Sequence, residues 1–284
     1  MSNEKAPQPY SDDGQTVVGE GRGAPEAEIA PAKTQKEPED EGKRRVYEQL
    51  EREFVTYADV KNMEVRESGE RFVTLPQTLT EAYGAVGRYG KLTNMQDAFP
   101  LVPVRMEVKE RLDRADRMLK QINSELQLVV AYGYRSMEIQ EKYFTEQKQK
   151  YIEENGPTDE EMLNEIIHRM VAVPEAAGHP TGGAVDVYIA NRETGQPLNF
   201  GTEIFTFGKD TYARSPFISE EAQKNRAVLR AVLMQEGFAP YDGEWWHFSF
   251  GDKEWAAYYR EPCARYEQKR ENEVATSLAG SEDA

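Results

Sequence analysis

Residues 178–187 read GHPTGGAVDV, a glycine-rich turn leading into the apolar run AVDVYIA (184–190). The turn holds His179, one of three histidines in 284 residues, and the run holds a lone aspartate, Asp186. The run reads as a β-strand. An aspartate inside such a strand is not innocent, because a buried carboxylate without a partner is costly and calls for a cation or a metal. Pro180 stiffens the turn, and Gly182 and Gly183 let it fold back on unusual dihedrals, bringing His179 towards Asp186.

Working outward, EWWHFSF (244–250) follows the Asp242-Gly243 turn and reads as a second strand, from its Trp and Phe content. It carries Glu244 and, three residues on, His247. Residues three apart on a regular strand face opposite sides, so the two can share a site only if Glu244 lies at an irregular strand entry. LQLVVAYGY (126–134) reads as a buried strand that ends at Arg135.

Helical periodicity is clearest over 104–123, where Met106, Leu112, Ala115, Met118 and Leu119 recur at three- and four-residue steps. Further helices are expected at 47–60, 137–155 (ended by Gly156-Pro157), 219–237 and 253–266. Another runs to about Met170, with Thr158 and Glu161 as its capping box. Residues 77–100, punctuated by glycines, read as loops. Helices and strands mix without strict βαβ alternation, which argues for an α+β fold over a doubly wound sheet.

The hydrophobic content, 38%, is low for a wholly folded chain, and the deficit sits at the ends. Residues 1–44 and 269–284 lack apolar clusters and read as disordered tails, leaving 45–268 as the folded domain. The net charge is −16. Setting aside −4 on 1–44 and −2 on 269–284, about −10 remains on the domain, which argues against nucleic-acid binding. The single cysteine, Cys263, excludes an internal disulfide and a cysteine-based zinc cluster. There is no apolar h-region at the start and no run long enough for a membrane helix, so a cytoplasmic protein without membrane contact is expected.

Two histidines and a carboxylate suffice to hold a catalytic zinc with one open position. Spacing alone leaves two readings of His179 open, a ligand or an ordinary hydrogen-bonded loop histidine. His168, on the more polar side of its helix, reads as solvated. Trp245 and Trp246 could be core or cleft wall.

GHPTGGAVDV resembles the S-x-H-x-x-G-x-A-x-D motif of the zinc D-alanyl-D-alanine peptidases of the LAS metallopeptidase type, EWWH resembles their E-x-W-H motif, and YGYRS (132–136) resembles their strand-end G-Y-R motif. Order agrees as well, and residues 105–260 are similar in particular to the vancomycin-resistance-type D-alanyl-D-alanine dipeptidases. The resemblance implies His179, Asp186 and His247 as ligands of a zinc ion (Zn²⁺), Glu244 as general base and then acid, and Arg135 as the group that binds the substrate carbonyl and its oxyanion. It implies hydrolysis of D-alanyl-D-alanine, with a zinc D,D-carboxypeptidase acting on peptidoglycan stem peptides as the alternative. A metal-binding but inactive wall-fragment binder is disfavoured by the retained Glu244 and Arg135.

Two positions depart from the family pattern. The motif serine falls at Ala177, and the acidic residue that grips the dipeptide ammonium falls at Phe205, with Glu203 or Asp210 as conceivable substitutes. The expected molecule is therefore an α+β domain with a mostly antiparallel sheet, flanking helices and a single zinc-site cleft. Its expected partner is a small peptide ending in D-Ala.

Overall fold

The computed structural model describes residues 41–76, 79, 99–206 and 208–280. Its centre is a four-stranded antiparallel sheet in the order β3 (Leu126–Tyr132), β4 (Ala184–Asn191), β6 (His247–Ser249) and β5 (Ala239–Pro240). β1 (Phe72–Thr74) and β2 (Pro103–Arg105) form a separate antiparallel pair. Helix α3 (Met106–Ile122) buries Val108, Leu112, Ala115 and Leu119 against β3, and α6 (Glu220–Gln235) packs on α3 and β4. An α+β fold with an antiparallel sheet and flanking helices is thus what the sequence builds.

Register decides the site. Tyr132 lies opposite Asp186, and Asp186 lies opposite His247. Directly opposed residues on neighbouring strands point to the same face. The three side chains therefore form one row across the sheet. A register shift between Val130 and Tyr132 puts Tyr132 into this row.

A second, smaller core flanks the sheet. Helices α2 (Tyr57–Val60), α4 (Met137–Asn155) and α5 (Glu160–His168) gather Tyr57, Val60, Phe144, Leu163 and Ile167. The strands 126–132 and 184–191 and the helices 106–122, 137–155 and 220–235 lie within a few residues of their expected bounds. Other elements differ, each for a local reason.

The helix expected over 47–60 is two: α1 (Glu41–Glu51), which starts inside the expected tail, and α2. The break comes at Thr56, whose hydroxyl and amide form a reciprocal capping box with Asp59. Helix α5 is capped not by Thr158 but by Asp159, whose carboxylate accepts from the amides of Glu161 and Met162. The strand expected over 244–250 shrinks to β6, because 242–246 is spent on two turns. The helix expected over 253–266 ends as α7 (Lys253–Tyr259), where Arg260 adopts a left-handed conformation.

The reading of 269–284 as a disordered tail is corrected over 269–280; residues 281–284 lie outside the described residues. Glu271–Ala279 is helix α8, packed on β1. Val274 is fully buried, and the amide of Phe72 donates to Ser277 Oγ at 2.9 Å. The tail reading of residues 1–40 and most of the loop reading of 77–100 lie outside the described residues. Among the described residues no helix is long and apolar enough to cross a membrane.

Candidate active site

His179, Asp186, His247, Glu244 and Arg135 all line one cleft of about 450 Å³ between the sheet and the smaller helical core. His179 opens a 3-10 turn, His179–Thr181, with Pro180 in its first positions. The turn closes at Gly182, which takes φ +73°, and a Cβ there would strike the Phe72 ring at 2.3 Å. Gly183 is needed for close approach, not for its dihedral: a Cβ would lie 2.4 Å from the Phe250 carbonyl. Arg105, 2% exposed, clamps the turn from behind. It donates from Nε to the Thr181 carbonyl at 2.8 Å, pairs with Glu67 at 3.1 Å, and lies over the Phe72 and Tyr266 rings. The sequence reading missed this arginine, which falls inside the helical run expected over 104–123 and carries no motif.

The turn aims His179 at the sheet. Its Nδ1 lies 2.7 Å from the Gly133 carbonyl, which can only accept, so Nδ1 carries the proton and Nε2 keeps its lone pair. Nε2 is 3.4 Å from Asp186 Oδ2. On the other side His247 Nδ1 is 3.0 Å from Asp186 Oδ1. The three residues each offer one ligand atom, all within 4.8 Å of one another.

Electrostatics agree with a cation centre. Burial pushes His179 down to about 4 despite the pull of Asp186, so it stays neutral and can donate a lone pair. Burial also opposes ionisation of Asp186, but His179 and His247 hold its carboxyl well below the usual range. Burial lowers His247 too, yet the Asp186 hydrogen bond and the Glu254, Asp186 and Glu244 charges raise it to about 10. Among the described residues lining the cleft, Arg135 is the one permanent cation, against Asp186, Glu203, Glu244 and Glu254. The three carboxyls inside the cleft, Asp186, Glu244 and Glu254, favour a bound cation, and the N, O, N donor set suits zinc.

Glu244 lies in the turn before β6, not on a strand. Its amide donates to the Tyr241 carbonyl at 3.2 Å, and its carbonyl accepts from the His247 amide at 3.3 Å. This irregular entry is what lets Glu244 and His247 face one site three residues apart. Burial is the main cause that pushes the Glu244 carboxyl up to about 8; His247 and Arg135 oppose the rise, and Asp186 and Glu254 add to it.

Arg135 follows β3. Its guanidinium lies over the Tyr132 ring, 4.8 Å from the centroid, and near Tyr143 at 5.5 Å. Nη1 donates to Gln140 Oε1 at 2.9 Å, and Gln140 in turn donates to the Ala172 carbonyl. Arg135 Nε is buried with no hydrogen-bond partner among the described residues. Gln140 and Tyr143 were not singled out from sequence; their place five and eight residues after Arg135, on the first turns of α4, was the available signal.

The two departures from the family pattern sit in the cleft as well. Ala177 lines it. Phe205 also lines it, at φ +62°, with its ring edge-on to Tyr132 and Trp246. Asp210 does not reach the cleft; it is held by Tyr47 and Lys43. Glu203 is exposed at the cleft rim. Trp246 is a cleft wall, whereas Trp245 stacks on Phe200 at 4.1 Å.

His168 is not solvated as expected. It lines the cleft, and its Nδ1 accepts from the Val173 amide at 3.1 Å. Burial lowers its pKa from 6.5 to about 4. The unfolded chain therefore takes up this proton near pH 6.5 while the folded one stays neutral down to about pH 4. The stability this difference contributes is complete above pH 6.5 and is lost as pH falls towards 4. His168→Gln is expected to flatten the dependence of Tm on pH across that window. An acid limb identical to the parent's would place the proton uptake elsewhere.

A hydrolytic metallopeptidase is the class of protein that this cleft defines. The sequence matches the family described as D-Ala-D-Ala dipeptidase (Peptidase_M15) over residues 89–268, and the chain belongs to that family. It is 26% identical over 181 residues to the D-alanyl-D-alanine dipeptidase of Synechocystis sp., covering 56% of this chain and 73% of that one. It is 32% identical over 79 residues to the D-alanyl-D-alanine dipeptidase of Escherichia coli K12, covering 28% of this chain but 40% of the relative. Among solved structures, VanYB in complex with D-Alanine-D-Alanine aligns with a TM-score of 0.35 at 18% identity, over 57% of this chain and 80% of that one. The protein is an enzyme, a peptidase of the M15 type.

Proposed function

We propose that the cleft hydrolyses D-alanyl-D-alanine, with His179, Asp186 and His247 holding a zinc ion, Glu244 as general base and acid, and Arg135 as the oxyanion donor. The observation that carries this reading is the convergence of a neutral imidazole, a carboxylate and a second imidazole within 4.8 Å, beside a half-buried glutamate that lines the same cleft. When bound, zinc supplies a water acidified from about 15.7 to about 7 and a Lewis acid for the carbonyl.

The rest is the work of side chains. Glu244 takes the proton of the attacking water on its carboxylate and later delivers it to the leaving amine nitrogen. A carboxyl raised by burial is matched to accepting and releasing a proton near neutral pH. Arg135 meets the carbonyl oxygen as negative charge develops on it, with a donor, Nε, that the protein leaves unused. Gln140 and the two tyrosine rings hold the guanidinium in place, so little reorganisation is needed when the charge forms. Trp246 and Phe205 form an apolar wall of the cleft.

Phe205 favours a second reading. An aromatic ring occupies the position from which a carboxylate would grip a free ammonium. It is kept there in a left-handed backbone conformation that costs a bulky residue about 1–2 kcal/mol. A D,D-carboxypeptidase acting on blocked or longer peptides would not need that carboxylate. D-alanine release by the zinc-loaded protein, from free D-Ala-D-Ala and from an N-acylated peptide ending in D-Ala-D-Ala, separates the two. Preference for the free dipeptide supports the dipeptidase, with Glu203 as the remaining acidic group at the rim. Preference for the acylated peptide supports the carboxypeptidase. Cleavage of neither would remove both.

A further inference from the structure

Glu254 lies outside every motif and has no part in the hydrolysis described above, yet its side chain enters the same cleft. It stands in the first turn of α7, seven residues after His247. Its Oε2 is 3.6 Å from His247 Nε2. Its Oε1 is buried without a hydrogen-bond partner among the described residues. The backbone beneath it is fixed: Asp252 Oδ1 accepts from the Trp255 amide at 2.8 Å and from Ser249 Oγ at 2.9 Å, which locks the start of α7 onto the end of β6.

We propose that Glu254 is a positioning residue for the cation centre: it faces the outer nitrogen of His247 and so commits the inner nitrogen to the metal. This rests on the reading of His179, Asp186 and His247 as metal ligands. A neutral imidazole has one N–H and one lone pair. His247 presents Nδ1 to Asp186 and Nε2 to Glu254. If Nδ1 gives its lone pair to a cation, the ring proton must reside on Nε2, where a carboxylate is waiting. The 3.6 Å separation is an ion contact, longer than a direct hydrogen bond. A carboxylate on the outer nitrogen of a ligating histidine fixes the tautomer and the ring plane and makes the inner nitrogen a better donor. His179 obtains the same service from a neutral group, the Gly133 carbonyl. The two histidines are thus oriented by partners of different charge, one on each side of Asp186.

The test is zinc affinity, measured by titration against a competing chelator on the full chain, with thermal unfolding of the zinc-free protein alongside. Glu254→Ala is expected to weaken zinc binding by about 10- to 100-fold. Glu254→Gln keeps an accepting oxygen but loses the charge, and is expected to fall between parent and Ala. The Tm of the zinc-free protein is expected to fall only slightly in either variant: the contact with His247 is lost, but so is a carboxylate oxygen sealed without a partner. Parental zinc affinity in both variants would overturn the proposal. So would a loss of affinity matched by a loss of zinc-free stability, which is what a merely structural residue would give. His247→Ala separates this from the underlying reading. Zinc lost in His247→Ala but kept in both Glu254 variants refutes Glu254 alone; zinc bound equally by His247→Ala and parent refutes the metal centre and Glu254 with it.

Discussion

Glu244→Ala is expected to lower kcat/KM for D-Ala release by about 10²- to 10⁴-fold while zinc binding stays at the parental level. Glu244 is not among the three converging ligand residues, so its removal leaves the donor set whole. What it removes is the proton acceptor for the attacking water and the proton donor for the leaving amine, and no other carboxylate stands in the same place. Asp186 lies between two imidazoles, and Glu254 faces the outer edge of His247. Glu244→Gln, close in shape, is expected to be as inactive as the alanine variant, because an amide cannot take the proton. The folded state should not suffer, since burial already disfavours the charge on Glu244. Hydrolysis by Glu244→Ala at the parental rate would refute the assigned role, whatever the metal content.

Replacing Arg135 is expected to have the next largest effect. Arg135→Ala should reduce kcat by about 10²- to 10³-fold, equivalent to about 2.7–4 kcal/mol of transition-state stabilisation. The guanidinium is held by Gln140 and by the Tyr132 and Tyr143 rings, with Nε buried and unsatisfied. Its contact is strongest when the carbonyl oxygen carries charge. The loss should therefore appear mainly in kcat, with kcat/KM falling in parallel, and less in KM. Arg135→Lys should recover little, because an ammonium offers neither the planar fork nor the stacking surface. A variant that lost only KM would show that Arg135 binds the substrate ground state and leaves the oxyanion to other donors.

The site is more legible in the sequence than the fold around it. His179, Asp186, Glu244, His247 and Arg135 were all picked out by residue type, glycine context and motif resemblance, and all five line one cleft. Helix 137–155 and the strand starting at Ala184 were readable because each has its own punctuation: Gly156-Pro157 ends the first, and glycines open the second. Helix α8 was not readable. It has few apolar residues, and its order comes from Val274 and Ser277 meeting β1, some two hundred residues away.

Glu254 and His168 show the same limit. Each looks like an ordinary polar residue on a helix, and each becomes a cleft residue only through what packs beside it. By itself, the sequence determined the chemistry on offer: the donors, the base, the cation and the glycines without which the His179 turn could not close. Only the tertiary structure decided how they meet. The antiparallel register sets Asp186 opposite His247, and the turns at 242–246 bring Glu244 round to the face of His247. Local patterning records which face a residue prefers, but register is a property of two strands sixty residues apart. It is settled by the packing of the whole sheet, in which a slip of one residue would turn Asp186 away from both histidines.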